Sequence, residues 1–173
     1  TDRLRDRVEG AGRARERLVP VSGAAVLWRI ATETRDYKAN DLSGAGSATS
    51  PGRWNAAGEH VVYAAPTLSL AVLETAAHLD SAGLPLNRFV VRIEVPADVF
   101  AMREELDPAT LDPAWNAIPA GRASAEAGSR WYRAGKAPIL LAPSVIVPEE
   151  RVAIVNARHP AASRIAATTV RRF

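Results

Sequence analysis

Apolar positions along this chain fall into short runs with two different periods. Val26-Leu-Trp-Arg-Ile30 and His60-Val-Val-Tyr-Ala64 are brief, rich in β-branched and aromatic residues, and each predicts a strand. Between Val91 and Val95 apolar and charged side chains alternate, so residues 88–95 predict a strand with one face buried. Residues 139–142, stopped by Pro143, predict another strand, as do 152–156 and 168–170; residues 99–102 predict a short one. Helical spacing appears behind Thr67, a suitable N-cap, where Leu68, Leu70, Ala71, Leu73 and Ala77 recur at mixed three- and four-residue intervals. That pattern predicts a helix of about four turns ending near Gly83. Residues 123–134 read as a second helix carrying Trp131, and residues 2–18 as a polar, arginine-rich one ended by Pro20.

Two stretches break the periodicity. Residues 107–121 hold Pro108, Pro113 and Pro119 and predict turns. Residues 33–59 hold Gly44, Gly46, Gly52, Gly58 and Pro51 among small polar residues and predict one long loop. A loop of that length in a compact domain is usually functional or disordered, and Trp54 argues for order. Short strands, few helices and no repeat give the α+β class. The expected organisation is an N-terminal basic helix over residues 1–20 and one domain over 21–173.

Bulk properties narrow the function. The 173 residues suit one domain with a core that needs no staples, and the 47% hydrophobic and 24% charged content fits a soluble globule. Without cysteine, disulfides, thiolate metal sites and a cysteine nucleophile are excluded. No apolar run approaches the roughly 18 residues of a membrane span, and the N-terminus lacks the apolar core of a signal peptide; the expectation is a cytoplasmic protein. Net charge is +3, with Arg3, Arg5, Arg7, Arg13, Arg15 and Arg17 near one end and Arg171 and Arg172 at the other. Basic ends suit nucleic acid or an acidic partner. Interleaved Asp2, Asp6, Glu9 and Glu16 favour a solvated helix face instead.

The chemistry concentrates in residues 44–78. Glycines at 44, 46 and 52 let backbone amides approach a phosphate, and Arg53 between Gly52 and Trp54 adds a guanidinium suited to it. The alternative for Arg53 is a structural pair with Asp41 or Glu59. Arg29, flanked by Trp28 and Ile30, must reach solvent, an acid or an anion. Tyr63 offers a stacking face with a hydroxyl at its rim. Glu74 lies in an apolar helical stretch, where a carboxylate must be satisfied, and shares a helix face with His78. That pair lacks further metal ligands, so no metal is expected. Ser144 and His159 make a Ser–His hydrolase conceivable, but the glycine elbow that exposes such a serine is missing.

Taken in order, Trp28-Arg29, Gly44-x-Gly46, Gly52-Arg-Trp-Asn55 with Gly58, Tyr63, Ala71-x-x-Glu74-x-x-x-His78, Pro143-Ser144 and Asn156-x-x-His159 resemble the RES domain. This family supplies the toxins of bacterial toxin–antitoxin pairs whose partner is an Xre-like antitoxin. The resemblance spans about residues 26–160. It departs at Val152, where relatives tend to carry asparagine, and at Ala157, where they carry proline. The resemblance implies a fold similar to the ADP-ribosyltransferases and NAD+ as a consumed substrate. It implies cleavage of the nicotinamide–ribose bond, with ADP-ribose passing to water, phosphate or a target protein. Glu74 is then the carboxylate that stabilises the developing ribose cation, and Arg29 and Arg53 anchor pyrophosphate or ribose. Tyr63 holds nicotinamide, and Ser144 supports Glu74 or the ribose. Ser47, Trp54 and Asn55 complete the expected binding set, with no membrane contact and nucleic acid reached only through the antitoxin. The rival from another class is a non-catalytic nucleic-acid module using the basic termini.

Overall fold

A computed structural model describes residues 24–77 and 87–173. The expected N-terminal helix and His78 lie outside the described residues. Strands β1 (Ala25–Thr32), β3 (Arg88–Val95) and β7 (Ala166–Arg172) form an antiparallel sheet in the order β1-β3-β7. Strands β2 (Val61–Ala64), β6 (Arg151–Asn156), β5 (Ile139–Pro143) and β4 (Glu104–Glu105) form the second sheet, in the order β2-β6-β5-β4. Its β4–β5 pair is parallel and the others are antiparallel. The α+β class holds.

Strand parity divides the buried residues between two cores. Leu27, Val91 and Ile93 of the first sheet join Val62, Leu141 and Val155 of the second in one cluster. Positions of opposite parity, Ile30 and Val90 with Val61, Leu140 and Ile154, join a second. There they meet Leu70 and Ala71 of helix α2 (Leu68–Ala76) and Ala127 and Trp131 of helix α4 (Arg122–Ala134). The sheets are stitched where Trp28 and Ala65 exchange backbone bonds of 2.7 and 2.8 Å. That stitch sets Arg29, the next residue of β1, beside the end of β2.

Helix α2 begins as its sequence predicts: the Thr67 side chain accepts from the Leu70 amide at 3.1 Å. It ends at Ala76 with Ala77 as its C-cap, shorter than the four turns expected; residues 78–83 of the expected helix lie outside the described residues. The expected strand at 99–102 is instead part of helix α3 (Ala97–Ala101), which buries Val99 and Phe100 after Pro96. A four-residue apolar run carries no period long enough to separate strand from helix. Inside the expected long loop, α1 (Ala45–Thr49) forms a short helix, entered through Gly44 at φ 69°. Within the turn-rich stretch, Asp107 and Asp112 each cap a short 3-10 turn through Oδ1, accepting from Ala109 and Ala114 amides at 2.9 and 2.8 Å.

One glycine decides how the loop meets the helix. A Cβ on Gly128 would sit 1.8 Å from the Trp54 carbonyl oxygen. Only glycine lets α4 lie this close to residues 52–55.

Candidate active site

Between α2, the 50–55 loop, the 118–121 segment and the Pro143–Ile146 turn lies a cleft of about 1010 Å³. Arg29, Arg53, Tyr63, Glu74 and Ser144 all line it, and so does Arg88. The fold therefore gathers side chains that are as much as 115 residues apart in the chain (Ser144 minus Arg29). A second cavity of about 760 Å³ adjoins it, shares Arg29 and Ser50, and holds Ser47 in its wall.

Glu74 and Ser144 form the polar corner of the cleft. Ser144 ends the β5 run just after Pro143, and its hydroxyl donates to Glu74 Oε1 at 2.6 Å. The same oxygen accepts from the Ile146 and Val147 amides at 3.1 and 3.0 Å. Three partners thus fix the serine, and the serine orients the carboxylate. A Ser–His dyad is ruled out by this geometry. Ser144 donates to Glu74, while His159 Nδ1 accepts from the Ala161 amide at 3.1 Å and caps a turn after β6. Asn156, buried at the end of β6, accepts from the Arg158 amide at 3.0 Å. Neither Asn156 nor His159 lines the cleft.

Arg53 pairs with neither Asp41 nor Glu59, the structural alternatives. Its Nη1 donates to the carbonyls of Trp115 and Ala117, each at 2.9 Å. Burial lowers its pKa, and the charge of Glu74 acts in the opposite direction. Asp41 instead takes the Ser43 hydroxyl at 2.6 Å. Arg29 is half-buried in β1, with one contact of 3.4 Å from Nη1 to the Asp41 carbonyl. Burial lowers its pKa too, opposed by Asp41 and then Tyr37.

The remaining expected binding residues build the wall. Trp54 is 2% exposed and stacks on Trp115 with ring centroids 5.9 Å apart, so its indole belongs to the core. Asn55 is buried; its Oδ1 accepts from the Gly52 amide and the Tyr63 hydroxyl, both at 2.8 Å, and its Nδ2 donates to the Ser47 carbonyl at 2.9 Å. The Tyr63 hydroxyl also accepts from the Trp54 amide at 2.9 Å. It is therefore a strut under the loop rather than a free group at the rim, and burial pushes its pKa well above the usual phenol range. The Tyr63 ring lies against Gly52, where an added Cβ would come within 2.7 Å of it. Sequence reasoning missed Arg88, which opens β3 within an alternating run and faces the cleft only because of how that sheet packs.

Among the described residues, no cluster of three or more His, Asp or Glu side chains suits a metal ion.

Comparison with known proteins places this geometry. Residues 26–173 match the model of the RES domain. The chain is 51% identical over 147 residues to a Prs ADP-ribosylating toxin of Sphingobium sp. (strain YBL2), covering 85% of this chain and 91% of that protein. It is 31% identical over 134 residues to Toxin Res of Yersinia enterocolitica, covering 78% and 85%. Among solved structures it resembles the M. tuberculosis MbcT–MbcA toxin–antitoxin complex, with a TM-score of 0.63 at 15% identity over 86% of this chain and 85% of that one. At that identity the likeness speaks for the fold alone. The stitched pair of sheets and the cleft beside α2 belong to a member of the RES-domain family.

Proposed function

We propose that this chain is the toxin of a toxin–antitoxin pair, which cleaves the nicotinamide–ribose bond of NAD+ and transfers ADP-ribose to a protein. The observation that carries the reading is the placement of Glu74, oriented by the Ser144 hydroxyl at 2.6 Å, in one cleft with Arg29 and Arg53. The relative named for ADP-ribosylating Prs supports the transfer, and the relatives named Toxin Res support the toxin role.

The chemistry follows from the charges. As the C1′–N bond breaks, its electron pair leaves with nicotinamide and positive charge grows on the ribose. Glu74 supplies the fixed negative group beside that charge; preorganised groups of this kind lower barriers by about 3–4 kcal/mol. Arg29 and Arg53 anchor the phosphates, so that binding energy from the remote half of NAD+ positions the reacting half. An acceptor nucleophile then bonds to C1′ and releases its proton. Tyr63 and the wall behind it limit water and present a flat face to the departing ring.

The test is to mix the protein with NAD+ and purified Prs and follow both products by mass spectrometry. The expected result is free nicotinamide in step with a single ADP-ribose added to Prs. Nicotinamide release without modified Prs would assign another acceptor, water or phosphate, and overturn the protein-transfer part. Absence of nicotinamide release with Prs, phosphate or water would overturn the whole reading.

A further inference from the structure

Arg88 lines the cleft and carries a guanidinium whose Nε finds no acceptor. Its backbone is fixed at the head of the central strand β3, paired with Thr32 of β1, and its carbonyl accepts from the Phe173 amide at 2.9 Å. Its side chain lines the cleft, and its Nε is buried without a hydrogen-bond partner. Several other arginines are engaged: Arg151 with Glu105, Arg164 with Asp98, Arg122 with Glu126, Arg53 with two carbonyls. A buried N–H of a cation without an acceptor is among the least favourable groups a fold can hold. The same side chain lines the cleft, where an anion would pair with its charge.

The charges of the described lining suit a doubly negative anion. Among the described residues the cleft lining carries three arginines (Arg29, Arg53, Arg88) and one carboxylate, Glu74, a net of +2. A pyrophosphate with one ionised oxygen on each phosphorus carries −2. Arg29 and Arg53 alone would leave +1 against it. Arg53 also has one nitrogen committed to the Trp115 and Ala117 carbonyls, which leaves it fewer donors for a ligand.

We propose that Arg88 is a third arginine anchor for the pyrophosphate of the dinucleotide, an inference that rests on the NAD+ reading of this cleft. Guanidinium–phosphate contact is charge-assisted and forked, so lysine should replace it only in part.

The experiment is calorimetry on the full chain and on its Arg88→Ala and Arg88→Lys variants, each first shown to melt within a few degrees of the parent. Three ligands are titrated: ADP-ribose, inorganic pyrophosphate and uncharged nicotinamide. For Arg88→Ala the expected result is a Kd raised about tenfold or more for the two anions, with nicotinamide unchanged. Arg88→Lys should fall between the two. ADP-ribose binding by Arg88→Ala within twofold of the parent would overturn the proposal. Equal losses for nicotinamide and anions would overturn it too, by showing a merely structural role. A further titration adds inorganic phosphate to protein saturated with ADP-ribose. Arg88-dependent phosphate binding there would move the residue to an acceptor site and overturn the pyrophosphate assignment. The two readings fail separately. Arg88-dependent pyrophosphate binding without nicotinamide release from NAD+ would keep the anion seat and sink the enzyme; release with ADP-ribose binding unaffected by Arg88→Ala would do the reverse.

Discussion

Among the described residues two glutamate–serine pairs stand out, and one of them faces the cleft. Glu59 is buried; it accepts the Ser129 hydroxyl at 2.7 Å and the Ala56 amide at 2.8 Å. It thereby ties the loop to α4, beside the close approach of Gly128 to Trp54. Glu74 accepts the Ser144 hydroxyl at 2.6 Å but lines an open cavity with three arginines. The bond chemistry is the same; what differs is what lies beyond it. Glu59 is surrounded by protein, so its charge can only fasten. Glu74 looks onto space large enough for a dinucleotide, so its charge can act on something that enters. Pockets that hold sizeable ligands reach about 1,000 Å³, which is the scale of this cleft.

The contrast can be broken most severely at Glu74. Glu74→Gln keeps the shape and an acceptor for Ser144 but removes the charge. NAD+ turnover should fall about 100- to 1,000-fold, with the melting temperature nearly unchanged, as checked by nicotinamide release and calorimetry. If turnover survives, the carboxylate has no catalytic role. Ser144→Ala should reduce turnover by a smaller factor, about tenfold, because the carboxylate loses its orienting donor, worth about 1.4 kcal/mol at that ratio. Its KM should move less than its kcat.

Glu59→Ala sharpens the other side. It leaves the Ser129 hydroxyl and Ala56 amide without their acceptor, at about 1–3 kcal/mol. Urea unfolding should show the loss, while turnover per folded molecule stays near the parent. Gly128→Ala strains the same junction from the helix side; overpacking of this kind costs about 1–3 kcal/mol. The smallest effect belongs to Thr67→Ala, which removes the cap at the start of α2 and should lower stability by about 1 kcal/mol.

How much of this the sequence showed differs by element. Residues 88–95 were legible to the residue, because apolar and charged positions alternate from Val91 to Val95 behind an apolar, β-branched start. The Thr67 cap was legible because the hydroxyl precedes a helical period. The chemistry-bearing residues Glu74 and Ser144 could be named in advance, yet their hydrogen bond joins positions 70 apart and depends on how β5 meets α2. Trp54 and Asn55 show the limit most clearly. They sit in a loop full of ligand-binding signals, but their side chains build the loop instead of facing out of it. Composition marks where a site is; it does not tell its wall from its contents. Arg88 is the converse case. Nothing local separates it from Arg92 on the same strand, and only the packing of the sheet puts it in the cleft.

The most direct test of the central claim is a crystal structure of the Glu74→Gln variant soaked with NAD+. The account predicts intact dinucleotide in the cleft, with a hydroxyl of the nicotinamide ribose within about 3 Å of residue 74 and the pyrophosphate among Arg29, Arg53 and Arg88. Dinucleotide bound elsewhere on the surface, or in this cleft with its nicotinamide ribose turned away from residue 74, would contradict it.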